Sequence, residues 1–191
     1  MSSTPAATGR VYGHVPGYPV GSTFKTKSVQ CHLREELWRA GVHVQRQAGI
    51  HGDATENGGA FSICLSEGYE DNIDGGEKIT YVGSGGQDRN GDQVTDQSFD
   101  HLPNRALQLS CETKRPVRVI RGKNETSFYS PPEGYRYDGL YVVDEAYMRR
   151  GKKGYQMCTF KLRRIQEEGM GPIPSRRLLT SKKLLKIARG K

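Results

Sequence analysis

The sequence predicts a mostly β domain of the α+β kind, a curved, twisted sheet or barrel carrying one or two packed helices, with a basic C-terminal extension. Glycine is abundant at 24 residues, many in short clusters, which points to strands joined by tight turns. Between those clusters lie short apolar runs of strand length. The hydrophobic content of 34% over 191 residues is enough for one modest core.

Taken in order, Pro16, Gly17, Pro19 and Gly21 form a turn-rich entry. Ser28 to Ala40 reads as a helix: Ser28 caps it, Leu33, Leu37 and Trp38 share a side, and Gly41 stops it. Strands are expected at 44–50, 60–66, 78–82, 116–121, 138–143 and 155–163, bounded by glycine, proline or polar clusters. A short helix over Asn104 to Cys111 packs on them. After Gly171-Pro172-Ile173-Pro174 the pattern becomes basic and Leu-rich, a helix outside the core over 175–188. The domain reading is therefore a tail at 1–12, a globular domain at 13–165 and a basic extension at 166–191.

The net charge of +8 is unevenly spread. From Arg149 to Lys191 there are fourteen Lys or Arg against Glu167 and Glu168, whereas residues 1–148 hold fifteen basic and nineteen acidic residues. All excess positive charge thus sits in the last quarter, where it suits a polyanion, a nuclear localisation signal or a solubilising tail. No segment approaches eighteen consecutive apolar residues and the opening MSSTPAATGR lacks a signal-peptide pattern, so neither a membrane partner nor secretion is expected. Cys31, Cys64, Cys111 and Cys158 lie far apart with no CxxC pair, which reads as ordinary buried thiols. No metal or other cofactor is expected.

Residues 68–86, GYEDNIDGGEKITYVGSGG, place Tyr69 and Tyr81 on either side of a turn rich in carboxylates and glycines. Two stacking surfaces, hydrogen-bonding groups between them and backbone free to approach closely suit a pocket for one planar base. Seven strings in order, GHVPGYPVGSTF, AGIHG, GGAFSICLSEGYEDN, TYVGSGG, NRAL, PVRVIRG and YRYDGLYVV, resemble the SET- and RING-associated (SRA), or YDG, domain across Gly13 to Ile165.

That resemblance implies a twisted β barrel that binds duplex DNA and rotates a 5-methylcytosine into a pocket. It places the base between Tyr69 and Tyr81, with Gly68 beside it, and Asn72 where the family has an aspartate that reads the cytosine edge. An amide both accepts and donates, so it matches the exocyclic amino group and the ring nitrogen together. Tyr69, Val82 and Ser84 match the concavity for the methyl group. Burying that methyl is worth about 0.8 kcal/mol, roughly a fourfold preference.

By the same resemblance Gln47, with Arg46 before it, tips a thumb loop for the minor groove, and 87–95 is a finger loop for the major groove. Asp92, Gln93 and Val94 replace the Asn-Lys-Arg tip of one subgroup, so strict hemimethylation preference is not carried over, and Arg89 and Asn90 remain as finger contacts. Lys78, Arg118, Arg121, Lys123, Lys152 and Lys153 are expected phosphate contacts. In the YDG triplet, Asp138 is expected to hold a turn and satisfy backbone donors, and His43 and His51 to be structural or to contact phosphate rather than to ligate a metal. The expected protein is a monomeric, non-enzymatic reader of methylated DNA, nuclear in a eukaryote and associated with chromatin proteins. The alternatives are the targeting part of a modification-dependent nuclease or chromatin-modifying enzyme, and a non-specific interaction module.

Overall fold

The computed structural model describes residues 9–25, 34–66 and 70–176. They form one eight-stranded sheet and two helices. The strands are β1 (Thr23–Phe24), β2 (Ile50–Asp53), β3 (Gly59–Leu65), β4 (Ile73–Asp74), β5 (Lys78–Val82), β6 (Val117–Gly122), β7 (Tyr135–Arg150) and β8 (Gln156–Arg164). Helix α1 spans Glu35–Arg39 and α2 spans Leu102–Thr113. The order across the sheet is β2-β3-β6-β7-β8-β5-β4, with β1 paired to β7. Its two end strands do not pair with each other among the described residues, so the sheet is open rather than closed into a barrel.

Neighbouring strands run antiparallel except β3 and β6. That parallel pair needs a long crossover, and the crossover holds β4, β5 and α2. The whole predicted base-binding turn therefore lies in one connection of the sheet. Strand β7 is long because its first half pairs with β6 and its second with β8, with an irregularity between Val143 and Glu145.

Both faces of the central strands are covered. Ile63, Leu107, Val119, Tyr141 and Phe160 join one buried cluster. Leu37, Val42, Cys64, Ile120 and Tyr137 join a second. Along β3, Ile63 and Leu65 face the first cluster and Cys64 the second, as period-two alternation requires.

Helix α2 begins with Pro103 in its first turn, where the missing N–H costs nothing, and ends on Lys114 in a left-handed conformation. It outruns the expected 104–111 by two residues at each end. The expected strand 44–50 starts only at Ile50. The carbonyls of Gln47 and Ala48 instead accept from Arg34 Nη1, at 3.0 and 2.6 Å, and so leave the ladder. The predicted first helix is described only from residue 34, and its Ser28 and Leu33 lie outside the described residues. The helix expected over 175–188 lies almost wholly outside them too. Cys64 and Cys158 are buried thiols and Cys111 is partly buried, while Cys31 is outside the described residues.

Candidate functional site

Asn72 sits between the 70–71 turn and β4, across from the end of β5. Its Oδ1 accepts the Val82 backbone N–H at 2.8 Å, which fixes which end of the amide is oxygen and leaves Nδ2 as a donor. Val82 itself is fully buried. Beside Asn72 opens a cavity of about 140 Å³ walled by Leu65, Ser66, Glu70, Asp74 and the segment Asn124–Ser130. That volume is well below the roughly 300–1,000 Å³ of pockets for drug-sized ligands, and it suits a single-ring molecule.

A second cleft of about 160 Å³ lies on the other side of the same turn. There Glu70 and Asp71 face the finger loop and the β7–β8 hairpin turn through Gln87, Gln93 and Lys153. The first cavity is the better candidate, because it holds the amide that can read a base edge.

Tyr81 is 4% exposed and packs with Phe160 and Ile79 in the first core cluster. Its hydroxyl lies 2.6 Å from where a Cβ on Gly49 would stand, so the glycine of AGIHG makes room for the ring. Tyr69 and Gly68, the other expected members of the cage, lie outside the described residues. Ser84 donates its N–H to Asn104 Oδ1 at 2.7 Å, and its buried Oγ has no hydrogen-bond partner among the described residues. Asn104 also donates to the Ser84 and Ser98 carbonyls, both at 2.9 Å. Gln97 donates to the Gly83 carbonyl at 2.8 Å and accepts from Cys158 N at 3.0 Å. Asn104 and Gln97 thus lock the turn after β5.

Arg46 and Gln47, the residues expected at a thumb tip, are exposed. The Arg46 guanidinium lies 4.7 Å from the Trp38 ring centroid, and Arg34 holds the loop from inside. The finger loop is a compact turn rather than a free arm. The Asp88 carboxylate accepts from Asn90 and Asp92 N–H, both at 2.9 Å. Gln93 is turned inward, donating to the Gly85 and Thr95 carbonyls, while Arg89, Asn90 and Asp92 are exposed. Lys153 pairs with Asp92, and Lys152 donates to the Glu70 carbonyl at 2.8 Å. Lys78 is exposed, and Lys123 is exposed beside Glu125.

Two expected phosphate contacts are corrected by the structure. Arg118 and Arg121 are fully buried, because β6 is covered on both faces and its polar positions point inward as well. Arg118 donates to the carbonyls of Gly9, Val11, Gly13 and Val42, which ties the N-terminal segment down. Burial, with no carboxylate paired to it among the described residues, depresses its pKa to about 10. Arg121 pairs with Asp74 and Asp138, both at 2.8 Å, and donates to the Gly76 carbonyl. Burial by itself raises the Asp74 pKa, yet the Arg121 hydrogen bonds and charge outweigh it and hold that carboxyl below its ordinary value.

Asp138 is corrected in the same way. It accepts from the Arg121 and Arg136 guanidiniums inside β7, not from backbone donors at a turn. Gly139 beside it has φ 103°, a conformation that side chains resist. The network Asp138–Arg121–Asp74 ends two residues from Asn72, so the YDG triplet supports the cavity from behind.

Of the two readings for the histidines, burial favours the structural one: both His43 and His51 are buried. His43 Nδ1 lies 2.8 Å from Ser62 Oγ and its Nε2 3.0 Å from the Ala48 carbonyl. Burial first, and Arg34 second, lower its pKa to about 3, and burial with Arg118 lowers that of His51 to about 4.

Residues 11–168 match the SAD/SRA domain. A UHRF1-like protein of Cryptococcus neoformans var. grubii is 42% identical over 181 residues, covering 88% of this chain and 50% of that protein. The chain therefore spans about half the length of this curated relative. Among solved structures, the modification-dependent TagI restriction endonuclease superposes with a TM-score of 0.76 at 38% identity, covering 90% of this chain and 60% of that one. The SUVH5 SRA domain, solved with hemimethylated CG DNA, superposes with a TM-score of 0.68 at 36% identity, covering 86% of this chain and 99% of that one. It has also been solved with fully methylated and fully hydroxymethylated CG DNA. With the match spanning the sheet, both helices and the Asn72 turn, the chain is a member of the SAD/SRA domain family.

Proposed function

We propose that the chain binds duplex DNA at 5-methylcytosine and takes that base out of the helix into the cavity beside Asn72. The observation that carries this reading is the oriented amide: the Val82 N–H holds Asn72 Oδ1, so Nδ2 and the second Oδ1 lone pair are set to meet a cytosine edge. Tyr69 and Tyr81 supply the faces on which the base stacks, and Ser84 and Val82 flank its methyl group. Unstacking and unpairing cost a few kcal/mol, and stacking on an aromatic returns about 1–3 kcal/mol per base.

Gln47 and Arg46 enter the minor groove, and Arg89, Asn90 and Asp92 approach the major groove. Lys78, Lys123, Lys152 and Lys153 remain as phosphate contacts once Arg118 and Arg121 are removed. The finger carries no cationic tip at 92–94, so the opposite strand is read without strict preference for hemimethylation. Asp138 is committed to two arginines, which leaves it no catalytic task, and this stretch acts as a reader. Its setting is nuclear DNA in a eukaryote, with chromatin proteins as further partners.

A second reading follows from the chain spanning only part of relatives such as the TagI endonuclease: it is then the DNA-targeting part of a longer enzyme. The test is a titration of duplexes identical except for one 5-methylcytosine, at two salt concentrations, with 2-aminopurine beside the target reporting unstacking. Methylated DNA is expected to bind more tightly at both salts, with a rise in fluorescence. Equal affinity for the two duplexes would refute the proposal, and metal-dependent cleavage of the methylated duplex would establish the second reading.

A further inference from the structure

We infer that Trp38 is a positioning residue for DNA binding: its indole holds the Arg46 guanidinium ready to fork a backbone phosphate at the lip of the groove that Gln47 enters. The inference rests on the proposed binding of duplex DNA, and adds the device that presents this loop's cation.

Helix α1 sets the aromatic in place. Leu37 is fully buried in the second core cluster, and Trp38, one residue on, is turned about 100° from it and stays half-buried at the surface. The Arg46 guanidinium lies over that ring, 4.7 Å from its centroid, so the side chain folds back onto the helix. Among the described residues no carboxylate or carbonyl takes its N–H donors. Glu35 is held by Arg39, and Glu36 accepts the Lys25 N–H at 2.7 Å, so both acids of α1 are engaged elsewhere. An exposed guanidinium without an acceptor samples many rotamers, whereas an aromatic face restricts it and leaves its hydrogen bonds unspent.

The backbone that carries Arg46 is fixed as well. Arg34 Nη1 donates to the carbonyls of Gln47 and Ala48, and His43 Nε2 lies 3.0 Å from the same Ala48 carbonyl. Side chain and backbone are thus ordered before a ligand arrives, which removes part of the entropy that binding would otherwise cost.

Charge identifies the occupant as an anion. Arg34 bonds to the carbonyls at 47 and 48 and Arg118 to that of Val42, both arginines buried and neither paired with a carboxylate among the described residues. The ground behind Arg46 is therefore positive too. A planar fork of donors matches the oxygens of a phosphate, and such a contact reads no sequence.

The experiment titrates the full chain, Arg46→Ala, Trp38→Phe, Trp38→Leu and the double variant Arg46→Ala/Trp38→Leu with duplexes that carry or lack one 5-methylcytosine, over a series of salt concentrations. Arg46→Ala is expected to weaken both duplexes alike and to lower the slope of log affinity against log salt by about 0.9, the share of one phosphate. Trp38→Leu keeps bulk without a π face and should weaken both by about two- to fivefold, the worth of an exposed cation–π contact, with Trp38→Phe losing less. In the double variant the Trp38→Leu effect should vanish, because nothing is left to present. Trp38 is the chain's one tryptophan, so Arg46→Ala should also shift the emission of the free protein, and a parent-like spectrum would show that the pair does not form. If Arg46→Ala keeps the parent's salt slope, or if Trp38→Leu weakens binding equally with and without Arg46, the inference fails. A parent without methyl preference whose salt slope still falls with Arg46→Ala would uphold this contact and refute the base pocket.

Discussion

At position 72 an amide stands where the family resemblance has a carboxylate, and the Val82 N–H shows how this side chain is kept in place. Asn72→Ala removes the proposed base reader and orphans that N–H. We expect methylated-DNA binding to disappear in a titration, and folding stability to fall by about 1–3 kcal/mol in a denaturant melt. Asn72→Asp keeps an acceptor for Val82 and should retain stability, so a parent-like melt beside altered affinity would separate the two tasks. Arg121 gives a second test. Its replacement by alanine leaves Asp74 buried without its cation and Asp138 with Arg136 alone, an expected loss of about 3–5 kcal/mol. A loss under about 1 kcal/mol in urea unfolding would be the size of an exposed pair and would contradict the buried network.

Among the elements, the hairpin turn between β7 and β8 ties the site loops together. Lys152 N–H contacts the Asp71 carboxylate at 3.3 Å, Arg149 donates to the Asp71 carbonyl at 2.9 Å, and Lys153 pairs with Asp92 of the finger. Because Lys153 and Asp92 are both exposed, their pair is expected to position the finger rather than stabilise the fold. Lys153→Ala should therefore leave the melting temperature unchanged while hydrogen exchange over 87–95 quickens. A lowered melting temperature without faster finger exchange would assign the pair to the fold instead.

The 60–66, 78–82, 116–121 and 155–163 strands were legible because short apolar runs ended at turn residues, and β2 was not wholly so. Its expected first residues surrender their carbonyls to Arg34, a partner thirteen or more residues away. The loop 124–130 carries no apolar period at all. It joins the site only because Ser127 meets Asp74 across fifty-three residues.

For the whole molecule, the buried histidines set the response to acid. In the unfolded chain each imidazole takes a proton near pH 6.5, whereas in the folded chain His43 does so near 3 and His51 near 4. The unfolded state binds more protons between those values. Stability is thus full above about pH 6.5 and falls as pH drops through the window, by up to about 1.4 kcal/mol per pH unit for each histidine. Urea midpoints at pH 7.5, 6.0 and 5.0 should decline in that order, and His43→Gln should flatten the decline. A midpoint that does not change over this range would show that the histidines titrate normally.

The sequence alone determined the β-rich class, the placement of excess charge in the last quarter, and the turn carrying Asn72 between Tyr69 and Tyr81. Each of these is written in neighbouring residues, where propensity, charge and stacking groups act at short range. Tertiary structure alone decided the fate of Arg118 and Arg121. In VRVIRG they stand three residues apart and so point to opposite faces of the strand, yet both faces of β6 are covered and their charge is spent on carbonyls and on Asp74 and Asp138. Likewise only packing placed Asp138 behind Asn72. Burial on the far face of a strand depends on what the rest of the chain lays over it, and no local pattern records that.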